Sequence, residues 1–135
     1  MPLTGAVVVT TPQDIALIDA KKGLRMFQKV NVPILGIIEN MSVFICPHCG
    51  EVEHIFGEGG AKRMSEQYGV PLLGELPLSA KIREQADSGL PTVAAEPDGK
   101  EALMYREMAM KVAGALARIT KDYTAKMPGI RVVND

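Results

Sequence analysis

The chain has 135 residues, 47% of them apolar and 23% charged, and its 15 Lys and Arg against 16 Asp and Glu leave a formal charge of −1. That composition belongs to one ordinary globular domain and excludes a disordered or collagen-like chain. No apolar run approaches the roughly 18 residues of a membrane span, and the balanced charge gives no electrostatic case for nucleic acid or anionic lipid.

Short apolar runs alternate with longer helical patterns, the order required by an α/β fold with a parallel sheet and crossover helices. Ala6-Val7-Val8-Val9 is β-branched and apolar on both faces, as a strand covered on each side should be. Thr11 suits an N-cap, Pro12 the first helical position and Asp14 the third, predicting a helix from about Thr11 to Val30. Its buried stripe is expected at Ala16, Ala20, Gly23, Phe27 and Val30, with Lys21, Lys22, Arg25 and Lys29 on a solvated opposite side.

Val32-Pro33-Ile34-Leu35-Gly36 then opens a strand through Ile38, and Val70-Pro71-Leu72-Leu73-Gly74 repeats the same order later, as at successive helix-to-strand joints of one sheet. Between them a helix from about Gly60 to Tyr68 buries Ala61, Met64 and Tyr68 and stops at Gly69. Ser79 caps a further short helix to Asp87, and Thr92-Val93 is a candidate fourth strand. Pro91, Pro97 and Gly99 mark connections. The last helix is expected from about Asp98 to Thr120, with Tyr105, Ala109, Val112, Leu116 and Ile119 on its buried face. Residues 121–135, with Pro128-Gly129, read as a mostly flexible tail. With three firm strands, the first starting almost at Met1, the chain reads as the second half of a larger α/β domain. No Gly-x-x-x-x-Gly-Lys-[Ser/Thr] phosphate loop occurs in it.

Residues 42–56 interrupt the α/β alternation and carry the sharpest chemical signal. The only two cysteines, Cys46 and Cys49, stand there in Cys-Pro-His-Cys, too few and too close for a disulfide framework. The opening Met-Pro-Leu-Thr-Gly lacks the regions of a signal peptide, so a reducing cytoplasm is the expected compartment. Two cysteines at this spacing can aim both sulfurs at one metal, and Gly50 can take the positive φ of a tight knuckle. Val43 and Ile45, then Val52, His54 and Phe56, alternate with period two, which predicts a hairpin with thiolates at its tip.

Zinc and iron–sulfur clusters usually take four ligands, so two more are needed. One source is a second copy of the chain across a two-fold axis. Another is His48 and His54, giving zinc held within one chain. A thioredoxin-like dithiol is disfavoured because no helix is expected after Cys49; two plain reduced thiols are the remaining reading. Two weaker features accompany the pair. Gly57-Glu58-Gly59-Gly60 before a helix offers N–H groups to an anion or acts as a flexible joint. Asn40, just past a strand end, stands where open α/β sheets bind ligands, and its amide could read a purine.

Taken together, Gly5-Ala6-Val7-Val8-Val9-Thr10-Thr11-Pro12-Gln13-Asp14, Val32-Pro33-Ile34-Leu35-Gly36 through Glu39-Asn40-Met41-Ser42, Cys46-Pro47-His48-Cys49, His54-Ile55-Phe56-Gly57 and Gly74-Glu75-Leu76-Pro77-Leu78 make the chain closely resemble the Mrp/ApbC family. These are P-loop NTPases, cytosolic iron–sulfur cluster carriers related to MinD- and ParA-type ATPases, and the likeness runs from about Leu3 to Ile119. The resemblance implies that Cys46 and Cys49 bind a [4Fe-4S] cluster shared across a homodimer, and that Asn40 and the Pro77 turn border the adenine of ATP. It implies delivery of the cluster to apo iron–sulfur proteins under nucleotide control. The family's phosphate loop, magnesium-binding acid and switch aspartate lie in an N-terminal half that this sequence does not contain. ATP and Mg are therefore expected only with that half, and hydrolysis by these residues alone is not. The alternative from another class is a structural-zinc interaction module.

Overall fold

In the computed structural model the described residues are 3–123. The chain runs through β1 (Ala6–Thr10), α1 (Asp14–Lys29) and β2 (Ile34–Glu39), then through two short strands, β3 (Phe44–Ile45) and β4 (Val52–Glu53). It continues through α2 (Gly60–Tyr68), β5 (Leu72–Glu75), α3 (Ala80–Asp87), α4 (Thr92–Ala95) and α5 (Lys100–Tyr123). β1, β2 and β5 form a parallel sheet in that order, while β3 and β4 pair antiparallel outside it.

One face of the sheet carries the core. Val8 and Ile37 meet Leu17 and Leu24 of α1 and Ala61 and Met64 of α2. Leu24 and Ile37 are fully buried, and burying each such side chain contributes about 1.5–3 kcal/mol. On the other face α5 packs over β5 and β2, with Met108 against Gly74. Its cover stops short of β1, so Val9 is 60% exposed and the strand is not enclosed on both faces as its sequence predicts. The repeated Val-Pro-apolar-Leu-Gly order has a steric cause at its glycines. A Cβ on Gly36 would lie 2.6 Å from the Pro71 carbonyl oxygen, and one on Gly74 would run into Met108.

Several expectations shift. α1 begins at Asp14 behind an extended Gln13 N-cap, not at Pro12 behind Thr11, whose hydroxyl instead bonds the Gln13 side chain at 3.0 Å. Pro12 is held against α2, where a Cβ on Gly60 would lie 2.7 Å from its carbonyl oxygen, so the helix starts only after this turn. The buried line of α1 is centred on Leu17 and Leu24, with Ala16, Ala20, Gly23 and Phe27 at its margins, and Val30 is exposed. α5 likewise turns Ala102, Met108 and Ala115 inward and leaves Ala109 and Leu116 exposed. Both helices are apolar on more than one face, so periodicity alone places the stripe one residue off.

Thr92-Val93 is helical, not a strand. Pro91 sits at the N-cap and its carbonyl accepts from the N–H groups of Ala94 and Ala95. α5 extends to Tyr123, past the expected end, and residues 124–135, on which the rest of the flexible-tail expectation falls, lie outside the described residues. α2 matches its expected span and ends at Gly69 with φ 64°. α3 has Ser79 as its N-cap, the hydroxyl accepting from the Ile82 N–H at 3.4 Å.

Candidate metal centre

The cysteine pair sits on the excursion between β2 and α2. Phe44 pairs with Glu53 and Ile45 with Val52, after which the Cys46 N–H donates to the Glu51 carbonyl at 2.9 Å. The Gly50 N–H then donates to the Cys46 carbonyl at 2.9 Å, which needs the positive φ of 74° that Gly50 supplies. Residues 46–51 thus make a closed knuckle at the end of a two-residue ladder. Both thiols are free, Cys46 half-buried and Cys49 exposed. Backbone N–H groups of Cys49, then of His48, face the Cys46 sulfur and hold its thiol below the ordinary cysteine value. Such donors favour the thiolate, the form that ligates metals and attacks electrophiles. The chain after Cys49 enters β4, so no helix dipole contributes, as the disfavoured dithiol reading would need.

The histidines do not complete the pair. His54 turns toward the base of the hairpin, its Nδ1 3.4 Å from the Ser42 carbonyl oxygen and its Nε2 3.8 Å from Glu58 Oε1. Among the described residues no group of three or more His, Cys, Asp and Glu side chains is placed to hold a metal ion. On the hairpin Ile45 and Val52 stand exposed, as does Ile55 just beyond β4.

Cys46 also opens onto a cavity of about 550 Å³ between the hairpin, the Pro77–Lys81 segment and the start of α5, so Cys46 and Pro77 share a wall. Asn40 lies elsewhere. Its backbone N–H donates to the Thr10 carbonyl at 2.7 Å, its side-chain oxygen accepts from the Met41 N–H at 2.9 Å, and it lines a second cleft of about 350 Å³ with Val9, Ile38 and Leu76. Asn40 and Pro77 share the carboxyl edge of the sheet, the usual ligand edge of open α/β sheets, and each lines one of these two cavities but not the other.

The glycine-rich segment leads into a helix end of which one N–H is already taken. Gly57 and Gly59 take φ of 99° and 69°, and the N-terminus of α2 that they lead into already has an anion: Glu39 Oε2 accepts the Ala61 N–H at 2.8 Å. Glu39 is 1% exposed, and its Oε1 accepts the Ser42 hydroxyl at 2.7 Å. Sequence reasoning passed over both residues. The available signal was a carboxylate ending the apolar run Ile34-Leu35-Gly36-Ile37-Ile38, with a hydroxyl three positions on.

Comparison with known proteins shows the family and the fold. The family model described as ParA, NUBPL iron-transfer P-loop NTPase, matches residues 1–113. An iron-sulfur cluster carrier protein of Escherichia coli K12 is 58% identical over 116 residues, covering 86% of this chain and 31% of its own length. The iron-sulfur cluster transfer protein NUBPL of Dictyostelium discoideum is 48% identical over 122 residues, covering 90% and 38%. This chain therefore spans about a third of the length of these relatives. Among solved structures, the cell division ATPase MinD of Pyrococcus furiosus superposes with a TM-score of 0.64 at 26% identity, over 82% of this chain and 43% of that one. A nucleotide-binding protein of Archaeoglobus fulgidus in complex with ADP gives 0.59 at 33% identity, over 71% and 38%.

Proposed function

The chain belongs to the ParA family of NUBPL iron-transfer P-loop NTPases, and on that premise we propose that it carries an iron–sulfur cluster on Cys46 and Cys49. Each of two copies supplies one cysteine pair, and the four thiolates hold one [4Fe-4S] cluster as cargo for apo iron–sulfur proteins in the cytoplasm. The observation that carries this reading is the pair itself: two free thiols on an exposed knuckle, with His54 turned to the hairpin base and, among the described residues, no third ligand grouped with them. Half a ligand set per chain suits a carrier, because separating the copies, or a recipient thiol displacing one ligand, opens the site. The exposed Ile45, Val52 and Ile55 give the two copies an apolar rim to bury.

Residues 1–120 serve, in this reading, as the C-terminal part of a longer P-loop NTPase domain, with residues 121–135 as its tail. The sequence has no phosphate-cradling loop, so the residues present do not fit ATP and Mg by themselves. Nucleotide control belongs to a polypeptide that includes the phosphate-binding half, with Asn40 and Pro77 bordering the adenine. Anaerobic reconstitution followed by iron, labile sulfide and zinc assays tests the cargo. Iron and sulfide in equal amounts are expected; stoichiometric zinc without sulfide overturns the carrier and leaves a structural-zinc interaction module.

A further inference from the structure

Glu39 is a carboxylate taken almost wholly out of water at the end of an apolar strand, a placement that costs several kcal/mol unless hydrogen bonds replace the lost hydration. Its two oxygens have separate partners. Oε2 takes the Ala61 N–H in the first turn of α2, where the helix end adds partial positive charge, and Oε1 takes the hydroxyl of Ser42. Ser42 is the base of the hairpin's first leg: its N–H donates to the Leu76 carbonyl at 2.9 Å, and its own carbonyl faces His54 Nδ1 at the base of the second leg. One buried side chain therefore joins the end of β2, the start of α2 and the joint from which both legs of the cysteine hairpin leave.

We propose that Glu39 is a positioning residue for the cysteine pair, holding the hairpin at a fixed attitude to the sheet edge through Ser42 while anchored on α2. This deepens the carrier reading and rests on it, because the attitude of the hairpin decides whether two knuckles can meet across a two-fold axis. Strand pairing is short, two residues per strand with Ile45 and Val52 exposed, and the backbone bonds of Ser42 to Leu76 and of Leu78 to the Val43 carbonyl at 2.8 Å tie the first leg to the segment after β5, not to β2 and α2 as Glu39 does. The Glu39–Ala61 bond caps the helix, and the Glu39–Ser42 bond fixes the hairpin, so the two roles are separable by substitution at Ser42.

Hydrogen exchange of the apo chain, with chelator stripping of the reconstituted chain alongside, provides the test. Ser42→Ala removes the hydroxyl and leaves the helix cap in place. Exchange at the Cys46 and Gly50 amides is expected to rise about tenfold with α2 unchanged, and the cluster to be stripped at least about fivefold faster. Ser42→Thr, which keeps the hydroxyl, should restore both. Wild-type rates at the hairpin, or an equal rise throughout α2 and the sheet, would overturn the proposal. The wild-type chain gives an independent check that needs no variant. The Ser42 and Ala61 amides should open as one protected unit, and Ser42 exchanging as fast as the tip contradicts the anchor. A wild-type chain that takes up no cluster refutes the carrier reading, while exchange still decides the anchor.

Discussion

Leu24 and Ile37, at the centre of the sheet layer, are fully buried, whereas Ile45, Val52 and Ile55, on and just beyond the cysteine hairpin, are exposed by 44, 57 and 49%. The sheet is held by apolar burial under α1 and α2 on one face and α5 on the other. The hairpin is held by a two-residue ladder, two backbone bonds at its tip, backbone bonds from Ser42 and Val43 to Leu76 and Leu78, and a polar anchor at its base. Stability is thus concentrated away from the proposed cluster site, and a knuckle with one half-buried and one exposed thiol can be covered or opened without disturbing the core. Low local burial is also what a site that exchanges its occupant requires.

The sharpest way to break this contrast is to delete side chains on each side of it. Ile37→Ala should cost about 2–5 kcal/mol in urea unfolding, since it empties a fully buried position. Cys46→Ala or Cys49→Ala should abolish retention of iron and sulfide in the assay above, yet leave the urea midpoint where it was. A midpoint that falls as far for the cysteines as for Ile37 would erase the distinction between core and site. Within the helical layer, Ser79→Ala removes the N-cap of α3 and should cost about 0.5–1 kcal/mol, the low end for such caps given the 3.4 Å bond.

Smaller effects follow from charge. The N–H groups facing Cys46 lower its pKa, so the folded chain favours the thiolate, and that preference is lost as pH falls through the folded value. Alkylation at Cys46, followed by mass spectrometry below the ordinary thiol range, should therefore be faster in the folded chain than in urea; equal rates would mean the knuckle does nothing to the sulfur. Lys81 bonds Glu96, which raises its pKa, with Glu101 adding to the field. A raised value gives stability that is full below the ordinary lysine pKa and vanishes as pH climbs through the folded one. Glu96→Gln should lower Tm slightly at neutral pH, less than loss of the Ser79 cap, with the difference closing above about pH 10.4.

How much of this was legible depended on where one residue type speaks for itself. Val-rich β1, the Gly69 stop and the Ser79 cap each rest on local chemistry, and they lie where the sequence predicts. The stripes of α1 and α5 were misplaced by one residue because Ile15, Ile18, Met110 and Leu116 compete with the true inward positions and remain exposed. Thr92-Val93 has β-branched residues, yet the preceding proline carbonyl recruits it into a helical turn. The anchor at Glu39 was the least legible feature. Its partners Ser42 and Ala61 lie in different parts of the chain, and only the folded chain shows that the glycine-rich segment brings the start of α2 to a buried carboxylate.

Native mass spectrometry of the anaerobically reconstituted chain tests the central claim most directly. The account predicts two chains holding a single [4Fe-4S] mass, with chains that separate when the cluster is chelated. A metal bound by a lone chain, or a pair of chains that persists in Cys46→Ala, would contradict it.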